Sequence, residues 1–203
     1  MFRNPQKASQ KGPAKTSPII VVSGLPRSGT SMMMKMLEQG GLEIVTDAIR
    51  SADDDNPNGY FEFERVKQMS AGDRKWLDEA GGKVVKVISA LLEHLPSGYH
   101  YKIIFMERAI KEVLASQKKM LDNRGEANKV SDAEMEEQYR AHIAAVRPWL
   151  ARQPHMDVLY VDYNKMMSDP GPLCQRLVEF LDMPLDAQKM QTVPNAKLYR
   201  NRA

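Results

Sequence analysis

The chain has 203 residues, 42% of them hydrophobic, which is enough for one α/β domain with an apolar core. Its formal net charge of +3 argues against a nucleic-acid-binding surface, and no apolar run reaches the about 20 residues of a membrane-spanning helix. Cys174 is the one cysteine, which excludes an internal disulfide and favours a reducing, cytoplasmic location.

The basic, polar residues 1–17 lack the apolar segment of a signal peptide and predict a disordered tail before a single domain at 18–203. Within that domain, β-branched runs and helical periodicity predict alternating strands and helices. In chain order these are a strand at 18–23, a helix at 31–41, short helices at 60–69 and 73–80, strands at 83–88 and 101–106, a helix at 109–121, a capped helix from 132 to about 153, a strand at 157–161 and a helix at 171–181. This order predicts a three-layer, P-loop-type α/β fold in which helices flank a parallel sheet of four to five strands.

A glycine-bearing loop, GLPRSGTS at Gly24 to Ser31, joins the first strand to the first helix. Backbone N–H groups and the positive end of the helix dipole favour a phosphate at such a junction, and a turn without a ligand is the alternative reading. The loop departs from Walker A because Thr30 stands where a triphosphate-binding loop has lysine, so the cation of the loop is Arg27. The predicted anion-binding residues of this loop are Arg27, Ser28, Gly29, Thr30 and Ser31.

The segment PRSGTS resembles the 5′-phosphosulfate loop of the sulfotransferases that use PAPS (3′-phosphoadenosine 5′-phosphosulfate). In that family an arginine after a strand and a serine eight residues later hold the 3′-phosphate, and Arg108 and Ser116 have this spacing. The segment VLYVDYNKMMSDPGPLCQRLVEFLDMPL resembles the family's late strand and helix, which implies that Tyr163 lies near the nucleotide. A surface ion pair of Arg108 with Glu112 and a solvated Ser116 are the alternative readings.

The resemblance covers residues 18–182 and is strongest to the small bacterial members and to the tyrosylprotein branch. It implies metal-independent, in-line transfer of a sulfuryl group from PAPS to a hydroxyl or amine, with PAP (3′,5′-adenosine diphosphate) as the product. It assigns Arg27 to the leaving phosphate and Lys86 to the sulfuryl group, although a lysine at this strand end can also reach solvent.

The base is a separate question, because Ile88 stands where the cytosolic enzymes place a catalytic histidine. Likeness to the tyrosylprotein branch points to Glu62 or Glu64, and the acids at 53–55 are alternatives. Each of these carboxylates can also be an ordinary solvated surface charge.

Two features depart from the family pattern. Met32, Met33 and Met34 follow the loop where the cytosolic steroid and phenol enzymes have a tryptophan that stacks on adenine. The glycine-rich phosphate loop near the C-terminus is replaced by KLYRNRA. In that segment Arg200 and Arg202 either reach the 3′-phosphate or form a solvated basic tail.

Two other functions are compatible with the sequence, a P-loop small-molecule kinase and a non-catalytic nucleotide-binding module. The missing Walker lysine argues against the kinase, whereas the unassigned base keeps the binding module open. The sequence is compatible with a small-molecule or a peptide acceptor, and with a monomer or a homodimer. Cys174 and the four histidines have no metal-ligand spacing, so no metal site is predicted.

Overall fold

A five-stranded parallel sheet forms the centre of the computed structural model, which describes residues 17–47, 59–126 and 130–194. Every strand pairing is parallel, which confirms the predicted α/β class and strand number. In chain order the strands are β1 (Ile19–Gly24), β2 (Ile44–Val45), β3 (Val84–Lys86), β4 (Tyr101–Glu107) and β5 (Met156–Asp162), and their order across the sheet is β2-β3-β1-β4-β5.

Seven α-helices and three short 3₁₀ helices are present in the described part of the chain. The sequence periodicity missed β2, the α-helix Tyr163–Ser168 and the 3₁₀ helix Ser89–His94, because such short elements hold too few residues to show a period. The α-helices are α1 (Thr30–Gln39), α2 (Glu64–Lys67), α3 (Ile110–Arg124), α4 (Asp132–Leu150), α5 (Tyr163–Ser168), α6 (Pro170–Leu181) and α7 (Ala187–Gln191), and the other 3₁₀ helices are Met69–Ala71 and Lys75–Glu79.

Helices cover both faces of the sheet, so the central strands are buried on both sides. The side chains of Ile20 and Val22 pack against α1 and α6, whereas Ile19 and Val21 face the layer that contains α4. The methionines after the loop, Met32 to Met34, are buried in the first of these layers, so they fill the core rather than offer a surface for adenine stacking.

Cys174 lies in the same layer and is fully buried. Burial raises the pKa of the Cys174 thiol to about 11, so the thiol stays protonated near neutral pH. A thiolate is the nucleophilic form of cysteine, and Cys174 is therefore part of the core rather than of the chemistry.

Local signals explain where the longer helices begin and end. The predicted capping box of α4 is confirmed, since the Ser131 side chain accepts from the Glu134 backbone N–H and the Glu134 side chain accepts from the Ser131 N–H. Helix α3 runs three residues beyond its predicted end and stops at Gly125, whose φ of 65° provides a left-handed C-cap. None of the described helices has both the length and the apolar character that a membrane crossing requires.

The sheet register determines which loops meet. Val22 of β1 pairs with Lys86 of β3, and Gly24 of β1 pairs with Met106 of β4. The carboxyl ends of these neighbouring strands therefore lie at one edge of the sheet, where parallel α/β folds bind their ligands. The residues that follow β1, β3 and β4 therefore lie close together at this edge.

Candidate functional site

The loop between β1 and α1 closes as a tight turn on Leu25. The Ser28 hydroxyl and the Ser28 backbone N–H both donate to the Leu25 carbonyl, at 2.7 and 3.2 Å. Arg27 has a φ of 66°, a left-handed conformation that is unusual for a residue with a side chain. Gly29 is the N-cap of α1 and has no side-chain oxygen to offer the first-turn N–H groups, so the helix start is suited to an external anion.

Tyr163, the first residue of α5, lies against this loop. A Cβ atom placed on Gly29 would be 2.4 Å from Cδ2 of Tyr163, so a larger residue at position 29 cannot fit without movement. Burial raises the pKa of the Tyr163 phenol, and the nearby Arg108 opposes that shift. Because the pKa rises from an already high value, Tyr163 is a neutral hydrogen-bonding group at neutral pH.

Replacing Gly29 with alanine is expected to lower the free energy of unfolding by about 2–4 kcal/mol, because strain at a φ of 100° adds to the contact with Tyr163. Gly41 is a matched control, since its φ is 102° but a Cβ there meets no atom within 4 Å. Gly41→Ala is expected to cost only the backbone strain, about 1 kcal/mol. Chemical denaturation of both variants measures the difference, and equal losses would contradict the tight packing of Tyr163 on the loop.

The junction after β4 meets the first loop directly. Arg108 follows β4, and Ser116 lies in α3 with 5% of its surface exposed. Nε of Arg27 donates to the Ser116 hydroxyl at 3.0 Å, and Nη1 of Arg108 donates to the Arg27 carbonyl at 3.1 Å. The two anion sites expected from the sequence are therefore adjacent, and Arg27 belongs to both.

A buried ion pair holds Arg108 in place. Nε of Arg108 lies 2.9 Å from Oε2 of Glu112, and the two side chains are 7% and 3% exposed. The alternative prediction of an ion pair between Arg108 and Glu112 is therefore right about the partners. It is wrong about their location, because the pair is buried rather than on the surface. Asn164 donates from Nδ2 to the other carboxylate oxygen of Glu112 at 2.9 Å. Sequence reasoning missed the role of Glu112 and did not consider Asn164, which lies 52 residues from Glu112 in the chain.

Lys86, the last residue of β3, connects the start of α1 with the segment at 59–63. Its Nζ donates to the Ser31 hydroxyl at 3.0 Å and to the Tyr60 carbonyl at 2.8 Å. The ammonium group therefore lies beside the loop between β1 and α1, whereas the alternative prediction had it reaching into solvent. This position suits a cation that acts on a group bound at the loop.

The two candidate bases differ in environment. Glu62 follows Tyr60 by two residues, and its half-buried side chain is 28% exposed and lies 3.7 Å from Nζ of Lys67. Glu64 begins α2, is 47% exposed and pairs with Lys67 at 2.7 Å. Glu62 is thus the carboxylate nearer in the chain to the Tyr60–Lys86 contact. The other candidates, Asp53 to Asp55 and Arg200 and Arg202, lie outside the described residues, as does most of the predicted tail at 1–17.

A histidine that the sequence did not single out approaches the same edge of the sheet. Nε2 of His142, in α4, lies 2.8 Å from the hydroxyl of Ser89, which is 4% exposed and follows Lys86 by three residues. The two residues are 53 positions apart in the chain, so no local motif connects them. An imidazole beside the end of β3 is a second group able to accept a proton there.

Comparison with protein families gives a match over most of the chain. The family described as "Sulfotransferase domain" matches residues 17–199. This range includes the loop after β1, the Arg108–Ser116 pair and Tyr163. No curated protein sequence matches the chain at a significant level.

Solved structures share the fold at low sequence identity. A mouse sulfotransferase complexed with PAP is 16% identical, with a TM-score of 0.54, and the match covers 89% of this chain but 63% of the mouse chain. The sulfotransferase domain of an olefin synthase from Synechococcus PCC 7002 is 16% identical, with a TM-score of 0.51 and coverage of 96% and 83%. A Janibacter sugar kinase is also 16% identical, with a lower TM-score of 0.46 and coverage of 83% of this chain and 96% of the kinase chain.

Proposed function

This chain belongs to the sulfotransferase family, and from that premise we propose that it transfers the sulfuryl group of PAPS to a hydroxyl or amine acceptor. The observation that carries the proposal is the contact of Arg27 with Ser116, beside Arg108. It brings the β1–α1 loop and the β4–α3 junction within reach of one nucleotide that carries phosphate groups on both its 5′ and 3′ sides.

The donor groups of the site fit such a nucleotide. The helix start at Gly29 to Ser31 and the guanidinium of Arg27 supply donors and positive charge for the 5′ side. Arg108 and Ser116 would hold the 3′-phosphate, and Tyr163, packed on the loop, would border the nucleotide. Since Met32 to Met34 are buried in the core, the adenine contacts must come from other residues.

The protein side of the chemistry follows from the charges at the loop. PAPS supplies the activated sulfuryl group and is converted to PAP. Arg27 would stabilise the negative charge on the leaving phosphate, and Lys86 would stabilise the charge on the sulfuryl oxygens. These two cations do the work that a metal ion does in phosphoryl transfer, and on this ground we propose a metal-independent, in-line displacement. Glu62 would take the proton of the acceptor.

The acceptor site is proposed to lie between the segment at 59–63 and the end of β3. Ile88, two residues after the end of β3, is 40% exposed and offers an apolar contact there. The acceptor is either a small molecule or a peptide that carries the hydroxyl or amine. We also propose a cytoplasmic location, which the single buried cysteine supports.

Calorimetric titration with PAP in the presence of EDTA tests the nucleotide assignment. We expect PAP to bind, and AMP to bind more weakly because it lacks the 3′-phosphate. Failure of PAP to bind would remove the sulfotransferase assignment. ATP-dependent transfer that survives Arg27→Ala would favour the kinase, and PAP binding without transfer to any of a panel of phenols, alcohols and amines would favour a binding module.

A further inference from the structure

A carboxylate is buried next to the anion site. Glu112 is 3% exposed and lies beside Arg108, in a region whose proposed ligand is negatively charged. A buried carboxylate is costly unless it is paired, and it also weakens the attraction of the site for an anion. Some favourable interaction of Glu112 must therefore outweigh its repulsion of the proposed anionic ligand.

The contacts of Glu112 supply that contribution. Its two oxygens accept from Nε of Arg108 and from Nδ2 of Asn164, both at 2.9 Å. Asn164 belongs to α5, whereas Arg108 and Glu112 belong to the β4–α3 junction, so the carboxylate connects these two parts of the fold. Tyr163, the neighbour of Asn164, lies against the guanidinium, whose central carbon is 4.4 Å from the ring centroid.

Arg108 is consequently held from three directions. Glu112 accepts from Nε, the Arg27 carbonyl accepts from Nη1, and the ring of Tyr163 covers the guanidinium face. Because the guanidinium is planar and presents its donors as a rigid fork, these contacts determine the direction of every donor it carries. A donor that is already oriented loses less side-chain freedom when it binds a phosphate.

We propose that Glu112, assisted by Asn164, is a positioning residue that determines the preference of the nucleotide site for a 3′-phosphate. The inference rests on the proposed function, in which Arg108 binds that phosphate. It distinguishes two effects of the Glu112 carboxylate on anion binding, namely its negative charge and its orientation of Arg108. Removing the negative charge strengthens anion binding if the carboxylate acts only through its charge, whereas it weakens binding if the carboxylate orients Arg108.

Glu112→Gln separates these effects, because glutamine is similar in shape but neutral and has one acceptor oxygen for the two N–H donors. We expect the Kd of PAP to rise about 10-fold or more, as charged hydrogen bonds of this kind imply, while the Kd of AMP changes less than about 2-fold. The ratio of the two Kd values, measured by calorimetry, is the readout. Tighter PAP binding or an unchanged ratio would overturn the proposal.

Three further variants complete the experiment. Asn164→Ala keeps the ion pair but removes the second contact, and a smaller shift of the ratio in the same direction is expected; it decides the matter if Glu112→Gln does not fold. Glu107→Gln breaks the exposed ion pair with Arg147 at the same edge and is expected to leave the ratio unchanged.

Arg108→Ala should abolish the preference for PAP. If it does so while the Glu112 and Asn164 variants do not, the inference fails and the proposed function stands, whereas an unchanged ratio in Arg108→Ala removes the 3′-phosphate assignment itself.

Discussion

Arg27→Ala is expected to lower kcat/KM for sulfuryl transfer by about 10²–10³-fold, the effect of removing one group that stabilises charge in the transition state. The guanidinium extends from the β1–α1 loop and contacts Ser116 of α3. Alanine keeps the backbone carbonyl that accepts from Arg108, so that contact survives the substitution. The loss therefore reports the side chain rather than a collapse of the loop.

Two companion variants sharpen this result. Arg27→Lys keeps the positive charge but not the planar fork, so we expect activity between those of the wild type and the alanine variant. Arg65→Ala removes an exposed arginine that pairs with Asp73 and should leave PAPS turnover within about 2-fold, as expected for a surface ion pair. Initial rates with the best acceptor from the panel measure all three. An Arg27→Ala enzyme that retains nearly full kcat/KM would remove this arginine from the mechanism.

Glu62→Gln is expected to lower kcat by about 10²–10⁴-fold, the usual contribution of a general base. The physical reason is the position of Glu62, since the contact of Lys86 with the Tyr60 carbonyl brings the segment at 59–63 beside the β1–α1 loop. Glutamine preserves the size of the side chain but cannot accept a proton at neutral pH. The Kd of PAP should stay within about 2-fold, because the proposed base contacts the acceptor rather than the nucleotide.

Glu64→Gln is the matched control, because Glu64 is more exposed than Glu62 and lies closer to Lys67, at 2.7 Å against 3.7 Å. Its kcat should remain within about 2-fold of the wild type, as expected on removing an exposed ion pair. His142→Gln tests the competing group at the end of β3. A small loss in Glu62→Gln together with a large loss in His142→Gln would transfer the role of base to His142.

Local sequence was sufficient for the fold class, the glycine-bearing loop between β1 and α1 and the Arg108–Ser116 spacing. Each of these features depends on a few consecutive residues, so hydrophobic periodicity and composition are enough to predict it. Examples are the buried β-branched strands, the loop of Gly24 to Ser31 and the capping box of α4. The resemblance to sulfotransferases depended on these same local segments, and the family match over residues 17–199 confirms it.

The tertiary structure alone decided how these segments meet. Arg27 and Ser116 are 89 residues apart in the chain, and Lys86 and Ser31 are 55 apart, yet each pair is within hydrogen-bond distance. These contacts exist because β1 lies between β3 and β4, with the ends of the three strands in register. The bond between Glu112 and Asn164 depends on how the fold places α3 and α5 near one another, which no local pattern encodes. Sequence therefore predicted candidate side chains for the chemistry, and strand order and helix packing decided which of them touch, because contact between distant residues is a property of the packed chain.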